Sequence, residues 1–325
     1  MQESNRITIW EEGEYSYPRA CGFVPFLTAY LHEGAGDARP CMLVIPGGGY
    51  AFVSPREGAI IARKFYDFGM NAFVLTYTVN PLSDAPLKDQ SLRDAARALR
   101  LIRVRAAEFR IRPDRIAICG FSAGGHLSAS LCVHWKTVFD ERFGAVSPRP
   151  DAAILSYPVI TSGSYAHRGS FINLLGKDAT EEELRYWSLE KHVSRDTPPC
   201  FLWHTATDES VPVENSELFA AALRRQGISY ALHIFSEGHH GLSLANEDWI
   251  EGRGCDPYTE DQTRRVVQAL REGRFPMTEE ARTFLFYADP EAQQAGPKDH
   301  TVPEVTVWPD LAFAWLNKQW PEGKR

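Results

Sequence analysis

The sequence predicts an α/β fold in which helices cover both faces of a mostly parallel β-sheet. Short continuous apolar runs recur along the chain, as strands buried on both faces require. Segments with helical apolar spacing lie between these runs. A Gly-x-Ser-x-Gly pentapeptide also stands where one apolar run passes into a helical segment. This alternation indicates a parallel sheet whose strands are joined by crossover helices.

The strands are predicted from apolar runs and from alternation. Residues 41–45 are apolar throughout and residues 72–77 nearly so, which favours strands buried on both faces, whereas residues 26–32 alternate. In chain order, the predicted strands comprise residues 6–10, 26–32, 41–45, 72–77, 115–119, 152–156, 200–205 and 230–235.

The helices are predicted from apolar residues at helical spacing. The longest, residues 87–109, places Leu92 and Leu99 on one stripe and arginines on the opposite face. Gly69 and Gly227 directly follow two other helices, at a position where glycine commonly ends a helix. In chain order, the predicted helices comprise residues 56–68, 87–109, 127–135, 213–226 and 311–320.

The composition is that of a globular chain. Hydrophobic residues make up 44% and charged residues 24% of the 325 residues, enough for one large α/β domain. The formal net charge of −7, without a basic stripe, argues against nucleic acid or an anionic membrane as a partner. The first residues lack a leader pattern, and no apolar run is long enough to span a membrane. We therefore expect a soluble, cytoplasmic protein.

A single domain over residues 1–325 is the simplest division, because the chain has no repeat, low-complexity tract or linker. Residues 159–199 interrupt the alternation with short helical pieces, notably 179–188. We interpret them as a substrate-side insertion over the carboxyl edge of the sheet. The oligomeric state stays open, and a homodimer is one option.

A second segment, residues 251–301, also departs from the alternation. It is charged, and its pattern predicts two short helices at residues 260–272 and 278–287, followed by a polar loop. Long excursions in a compact domain usually serve a function. We therefore interpret this segment as a lid or a subunit contact.

The pentapeptide Gly120-Phe121-Ser122-Ala123-Gly124 follows the predicted strand 115–119 and precedes a helix. This setting is the one in which the pattern holds a nucleophilic serine on a tight turn, with glycines letting the strand and helix approach. Ser122 would project its hydroxyl above the sheet edge. The N–H of Ala123, at the start of the helix, would point at a developing oxyanion.

A serine nucleophile needs a neighbouring base, and the base needs an orienting acid. In sheets of this type both come from loops after later strands, the acid before the histidine. Asp208 directly follows the strand 200–205, with Glu209 as the alternative acid. His240 and His239 both follow the strand 230–235, and His240 is favoured because Gly241 comes next.

Three successive glycines, 47 to 49, follow the buried strand 41–45. Acyl transfer needs backbone N–H groups converging on a carbonyl oxygen, and residues without side chains allow the backbone to approach. A phosphate loop would need a following Gly-Lys-Ser/Thr, and a dinucleotide loop another glycine spacing. Gly48, Gly49 and Ala123 are therefore the predicted donors, and a plain tight turn is the alternative.

The remaining candidates are weaker. His126 is expected to be a buried structural histidine, and no histidines or cysteines show metal-ligand spacing, so no metal or cofactor is expected. The six scattered cysteines are expected to be free thiols. Tyr50, Tyr157 and His167 fall in loops predicted around the mouth of the site, where they could contact substrate.

These residues together resemble the α/β-hydrolase superfamily, in particular its esterase/lipase branch, and more narrowly bacterial acetylxylan-esterase-like carbohydrate acetylesterases. The similarity spans roughly residues 24–250 and resumes at the last helix. The matching segments are Pro46-Gly47-Gly48-Gly49-Tyr50, Gly120-Phe121-Ser122-Ala123-Gly124-Gly125-His126, Asp208-Glu209-Ser210-Val211-Pro212-Val213 and Gly238-His239-His240-Gly241.

The resemblance implies an α/β-hydrolase fold and a serine carboxylic-ester hydrolase with Ser122, His240 and Asp208 as its triad. It further implies a small-molecule ester substrate, such as an O-acetylated xylo-oligosaccharide or a similar sugar ester. The alternatives are a general short-chain carboxylesterase, a peptidase or formamidase with the same triad, or a ligand-binding protein of hydrolase fold without activity.

Overall fold

Eight strands form one sheet in a computed structural model that describes residues 6–34, 36–287 and 300–320. The strands are β1 (Arg6–Thr8), β2 (Phe26–Tyr30), β3 (Arg39–Ile45), β4 (Asn71–Thr76), β5 (Ile111–Phe121), β6 (Ala152–Ser156), β7 (Cys200–Thr205) and β8 (Tyr230–Phe235). Their order across the sheet is β1-β2-β4-β3-β5-β6-β7-β8. Six neighbouring strands in this order are parallel, namely β4, β3, β5, β6, β7 and β8, while β2 pairs antiparallel with β1 and β4. The predicted α/β fold is therefore confirmed.

Helices lie on both faces of this sheet. They are α1 (Ala59–Asp67), α2 (Gln90–Val104), α3 (Ala123–His134), α4 (Arg168–Leu175), α5 (Glu181–Tyr186), α6 (Glu214–Gln226), α7 (Glu247–Ile250), α8 (Asp261–Arg271), α9 (Glu279–Tyr287) and α10 (Trp308–Gln319). Short 3-10 turns stand between them, including Pro55–Glu57 before α1. Within the described residues, every helix is too short or too polar to cross a bilayer.

The parallel strands divide their side chains between two hydrophobic cores. Successive side chains of a strand point to opposite faces, so Leu43 packs into one core and Val44 into the other. The first core includes residues of α2, α3 and α6, and the second those of α1 and α10. This burial on both faces explains why the strand sequences are apolar runs rather than alternating ones.

Two helices near the site are longer or better defined than their sequence patterns indicate. α3 begins at Ala123, as the pentapeptide predicts, and its apolar spacing is visible only from residue 127 because Gly124 and Gly125 contribute no apolar stripe. α4 lies within residues 159–199, for which the sequence predicts short helical pieces without giving bounds for this one. The side chain of His167 caps it by accepting the N–H of Ser170.

The second inserted segment packs against the loop that follows β4. The buried amide of Gln262, on α8, accepts the N–H of Val79 at 2.9 Å and donates to its carbonyl oxygen at 2.8 Å. α8 and α9 also enclose a small apolar cluster with Leu82. Residues 288–299 of the predicted polar loop lie outside the described part, so a lid or subunit contact stays a prediction.

His126 anchors the insertion after β6 to α3. Its Nε2–H donates to the carbonyl oxygen of Trp187 at 3.0 Å, so Nδ1 accepts the hydroxyl of Tyr50 at 2.8 Å. The imidazole is fully buried, and this burial lowers the pKa of His126 to about 4. His126 is therefore the neutral structural histidine that the sequence predicts.

The neutral state of His126 makes the fold sensitive to acid. The unfolded chain binds a proton at this residue with a pKa of about 6.5. As the pH falls below that value, the unfolded state gains the proton first and the free energy of unfolding decreases until the folded pKa is reached. From about pH 7.5 to about pH 5 this loss is expected to be roughly 2 kcal/mol. In urea unfolding, the free energy of unfolding of the variant His126→Gln should decrease by roughly 2 kcal/mol less than that of the wild type over the same pH range. An unchanged pH dependence would contradict the neutral state of His126.

Candidate active site

Ser122 stands at the centre of the carboxyl edge of the sheet, in the turn between β5 and α3. Its backbone has φ 52° and ψ −119°, an unusual conformation for a residue other than glycine. A Cβ atom on Gly120 would lie 2.3 Å from the carbonyl oxygen of Gly124, and one on Gly124 would lie 2.2 Å from that of Ile45. Both glycines are therefore required for the close approach of strand and helix, as the sequence predicts.

His240 links Ser122 to Asp208. Its Nε2 lies 2.7 Å from the hydroxyl oxygen of Ser122, and its Nδ1 lies 2.6 Å from Oδ2 of Asp208. His239 is turned elsewhere: its Nδ1 contacts the carbonyl oxygen of His240, and its ring lies near that of Trp249. The structure therefore brings together the three residues predicted as a triad, and His239 lies outside their chain of hydrogen bonds.

Asp208 is buried at the end of β7, whereas its neighbour Glu209 is exposed. Burial by itself raises the pKa of the Asp208 carboxyl, but hydrogen bonds from His204 and His240 outweigh it and hold the pKa well below its usual range. The N–H groups of Ser210 and Val211 donate to Oδ1 at 3.0 and 2.9 Å. The side chain is thus an oriented carboxylate facing His240.

His204 is a contributor that sequence reasoning missed. It lies in β7, fully buried, and its Nε2 is 3.4 Å from Oδ2 of Asp208. The same nitrogen donates to the carbonyl oxygen of Val211 at 2.9 Å, so Nδ1 accepts the hydroxyl of Ser216 at 2.8 Å. A histidine inside an otherwise apolar strand, four residues before the acid, was the available signal.

The glycine loop, residues 46–50, follows β3 and lies beside Ser122. A Cβ atom on Gly47 would come within 2.9 Å of the Cβ of Ser122. Gly48 and Gly49 have φ values of 118° and 61°, and a Cβ on Gly48 would lie 2.2 Å from the carbonyl oxygen of Phe52. The N–H groups of these two glycines have no hydrogen-bond partner among the described residues.

Ala123 supplies a third N–H group at this place. It is the first residue of α3, where backbone N–H groups have no acceptor within the helix and the helix dipole favours negative charge. Of the three predicted donors, Gly48 and Gly49 thus lie in the glycine loop beside Ser122, and Ala123 lies directly after Ser122 at the start of α3. Such an arrangement suits an oxygen that gains negative charge next to the serine.

The rings of Tyr50 and Tyr157 do not lie at the mouth of the site, which corrects the expectation for both. Each has a positive φ, 61° and 35°, which turns its side chain into the interior. Tyr50 is 1% exposed and donates its hydroxyl to His126, as described above. Tyr157 is 2% exposed and donates its hydroxyl to Glu57. Neither hydroxyl faces a substrate.

His167 does lie beside the glycine loop. Its Cε1 would be 4.0 Å from a Cβ atom on Gly49, and its Nδ1 lies 2.8 Å from the hydroxyl oxygen of Ser170. Burial and the proximity of His240 lower the pKa of His167. Asn173, which the sequence did not single out, holds α4 against the loop by donating to the carbonyl oxygen of Gly49 at 2.9 Å.

Glu57 is the second residue that sequence reasoning missed. It ends the 3-10 turn Pro55–Glu57 and is 4% exposed. Its Oε2 accepts the N–H of Gly47 at 2.8 Å, and its Oε1 accepts the hydroxyl of Tyr157 at 2.6 Å. A lone glutamate between a proline and a helix gave no signal of burial.

The comparisons with known proteins extend over most of the chain. The BD-FAE family model matches residues 27–223. The endo-1,4-beta-xylanase B of Butyrivibrio fibrisolvens is 49% identical over 267 residues, which are 82% of this chain and 42% of that protein. The acetylxylan esterase of Xylanibacter ruminicola is 32% identical over 209 residues, 62% of this chain and 40% of that protein. The chain therefore spans about two fifths of the length of these curated relatives.

Solved structures match over a larger share of their own length. An acetyl ester-xyloside bifunctional hydrolase from Caldicellulosiruptor lactoaceticus has a TM-score of 0.68 at 37% identity, covering 83% of this chain and 97% of that one. The carboxylesterase Cest-2923 from Lactobacillus plantarum has a TM-score of 0.69 at 25% identity, covering 97% of both chains. Since the family model matches more than half of the sequence and the fold agrees with that of these structures, the chain belongs to the BD-FAE family and has the α/β-hydrolase fold.

Proposed function

We propose that this chain is a serine carboxylic-ester hydrolase that removes acetyl groups from O-acetylated xylo-oligosaccharides or similar sugar esters. The observation that carries the proposal is the continuous hydrogen-bond chain from Ser122 through His240 to Asp208. It lies beside backbone N–H groups that have no partner within the part of the chain that the structure describes. A buried serine alone is a weak nucleophile, and this chain of contacts is what activates it.

In the first half of the reaction, the Ser122 oxygen attacks the ester carbonyl while His240 takes its proton through Nε2. The carbonyl oxygen becomes negative and is stabilised by the N–H groups of Gly48, Gly49 and Ala123. The tetrahedral intermediate collapses when His240 returns the proton to the departing alcohol. This step leaves the acyl group on Ser122 and releases the sugar.

In the second half, a water molecule gives its proton to Nε2 of His240 and attacks the acyl-enzyme. A second tetrahedral intermediate uses the same three N–H groups, and its collapse releases acetate and restores Ser122. Asp208 keeps the proton of the neutral imidazole on Nδ1 and stabilises the imidazolium in both halves. Because its pKa is lowered, the Asp208 carboxyl is ionised near neutral pH, where the reaction is proposed to run.

The substrate class is proposed from the surroundings of the glycine loop and from the relatives. The side chains of His167 and Ser170 lie beside Gly49, with Cε1 of His167 4.0 Å and the hydroxyl oxygen of Ser170 3.9 Å from the place of a Cβ atom on Gly49. Phe52 and Tyr165, each 41% exposed, lie near this loop and near His167 in the sequence, and exposed aromatic rings suit the apolar faces of sugars. Two relatives are named as xylan-active enzymes. A cytoplasmic location stays a prediction, and the oligomeric state stays open, with a homodimer as one option.

The first prediction concerns the nucleophile. Ser122→Ala should lower kcat by at least about 10³-fold, because no other hydroxyl in this chain of contacts can form the acyl-enzyme. Its thermal unfolding should stay close to that of the wild type, since only one oxygen atom is lost. Initial rates on p-nitrophenyl acetate and covalent labelling by a fluorophosphonate both check this. Labelling of Ser122→Ala, or retained turnover, would refute the assignment.

The second prediction separates the two neighbouring histidines. His240→Ala should lower kcat by at least about 10³-fold, because the base and the link to Asp208 are lost together. His239→Ala is the matched control and should stay within about threefold of the wild type, since its ring lies outside the chain of contacts. The opposite result in steady-state kinetics would make His239 the base.

The third prediction concerns the ester itself. Initial rates on p-nitrophenyl acetate, butyrate and octanoate should fall with chain length, with acetate at least about tenfold above octanoate. Acetate should also be released from acetylated xylo-oligosaccharides, with Ser122→Ala as the blank. A preference for longer chains, or no acetate from the sugar, would instead indicate a general carboxylesterase. Turnover of peptide or formamide substrates alone would indicate a peptidase or formamidase.

A further inference from the structure

The glycine loop and the loop that carries His240 must act at the same moment, yet they follow distant strands. The glycine loop follows β3, whereas the histidine loop, residues 236–243, follows β8. β5, β6 and β7 lie between these strands in the sheet. At the usual spacing of neighbouring strands, the two strand ends are about 19 Å apart. Something has to fix the position of one loop relative to the other.

A buried chain of hydrogen bonds joins these two loops. The N–H of Gly47 donates to Oε2 of Glu57 at 2.8 Å, and the hydroxyl of Tyr157 donates to Oε1 at 2.6 Å. The hydroxyl oxygen of Tyr157 in turn accepts the N–H of Ser243 at 3.0 Å. Ser243 lies three residues after His240, so the chain runs from the oxyanion side of the site to its base.

The middle of this chain and its end at Ser243 are held in place by further contacts. Tyr157 has φ 35° directly after β6, and its ring meets that of His240 edge to face, with centroids 5.0 Å apart. The hydroxyl of Ser243 donates to the carbonyl oxygen of Arg56 at 2.8 Å, next to Glu57 itself. The indole N–H of Trp308 donates to the carbonyl oxygen of Ser243 at 2.8 Å. The link is therefore a rigid part of the interior.

A buried carboxylate is a costly way to make such a link. Burial raises the pKa of Glu57, and the carboxylate has to be compensated by donors. An apolar side chain of similar volume would pack without this cost. Both oxygens of Glu57 instead accept a hydrogen bond from an element next to the reacting atoms. This pattern points to a role in the reaction rather than in packing.

We propose that Glu57 and Tyr157 are positioning residues that set the oxyanion donors against the Ser122–His240 pair by joining the glycine loop to the histidine loop. The inference rests on the proposed esterase function. The oxyanion forms as His240 takes up the proton, so the transition state requires both loops in place. Binding of the uncharged ester requires neither. Loss of the link should therefore lower kcat and leave KM nearly unchanged.

Three variants test the link: Glu57→Gln, Tyr157→Phe and the double variant. With p-nitrophenyl acetate, each single variant should lower kcat about 10- to 100-fold with KM within about twofold of the wild type. The Ki of a trifluoromethyl ketone, whose adduct with Ser122 carries the oxyanion, should rise by the same factor as kcat/KM falls. The kcat of the double variant should lie within about threefold of that of the less active single variant, because both substitutions break the same chain of hydrogen bonds.

The matched control is Asp94→Asn, which changes another fully buried carboxylate. Asp94 accepts the indole N–H of Trp10 and the N–H of Thr78, away from the triad. This variant should be less stable, yet its folded fraction, counted by fluorophosphonate titration, should keep kcat and Ki within about twofold of the wild type. Tyr157→Phe removes a single oxygen atom and carries the test if Glu57→Gln does not fold.

The outcomes separate the two proposals. If the wild type hydrolyses p-nitrophenyl acetate but both single variants keep kcat and Ki within about twofold, the positioning role is wrong and the esterase function stands. The positioning role is also wrong if the losses in kcat of the two single variants multiply in the double variant, because the two residues would then act separately. A wild type that neither hydrolyses esters nor reacts with the fluorophosphonate would overturn both proposals.

Discussion

The contact between the turn at Ser122 and the end of β3 is the constraint on which the site depends. A Cβ atom on Gly124 would lie 2.2 Å from the carbonyl oxygen of Ile45, so only glycine lets α3 start this close to the neighbouring strand. This approach puts the N–H of Ala123 and the glycine loop on one side of the serine. The strained φ of 52° at Ser122 is held by its N–H, which donates to the carbonyl oxygen of Ser156 at 3.0 Å. Backbone packing, rather than side chains, therefore sets the surroundings of Ser122 in which we propose that an oxyanion is stabilised.

The base side of the site depends on keeping a carboxylate ionised in the interior. Asp208 achieves this with donors from its own turn, the N–H groups of Ser210 and Val211, and with His204 from the strand below. Oδ1 is occupied by the two N–H groups, and Oδ2 lies between the imidazoles of His240, at 2.6 Å, and His204, at 3.4 Å. The contrast with Glu57 is informative, since burial raises the pKa of that carboxyl, which has no histidine among its hydrogen-bond donors.

The parts of the site that could be predicted from the sequence are those whose position follows from the sheet. Ser122, Asp208 and His240 each follow a parallel strand, and the carboxyl ends of such strands share one edge. The residues behind them could not be predicted. Glu57 lies in a short turn without periodicity, and the positive φ that turns Tyr157 inward is not encoded by any glycine or asparagine. Strand positions were predicted closely because burial on both faces leaves an apolar run, whereas the glycine-rich start of α3 leaves no such pattern.

The sheet and the insertion after β6 position different residues of the site, and this difference bears on substrate choice. Ser122 and His240 follow strands of the sheet, whereas His167 precedes α4, which a hydrogen bond from Asn173 to the carbonyl oxygen of Gly49 helps to hold beside the glycine loop. Residues of α4 lie beside the glycine loop, yet none of them belongs to the hydrogen-bond chain from Ser122 to Asp208. Under the proposed esterase function, we therefore expect substitutions in α4 to change which ester fits rather than how it is cleaved. The insertion is thus the part of the fold in which specificity can vary while the chemistry is retained.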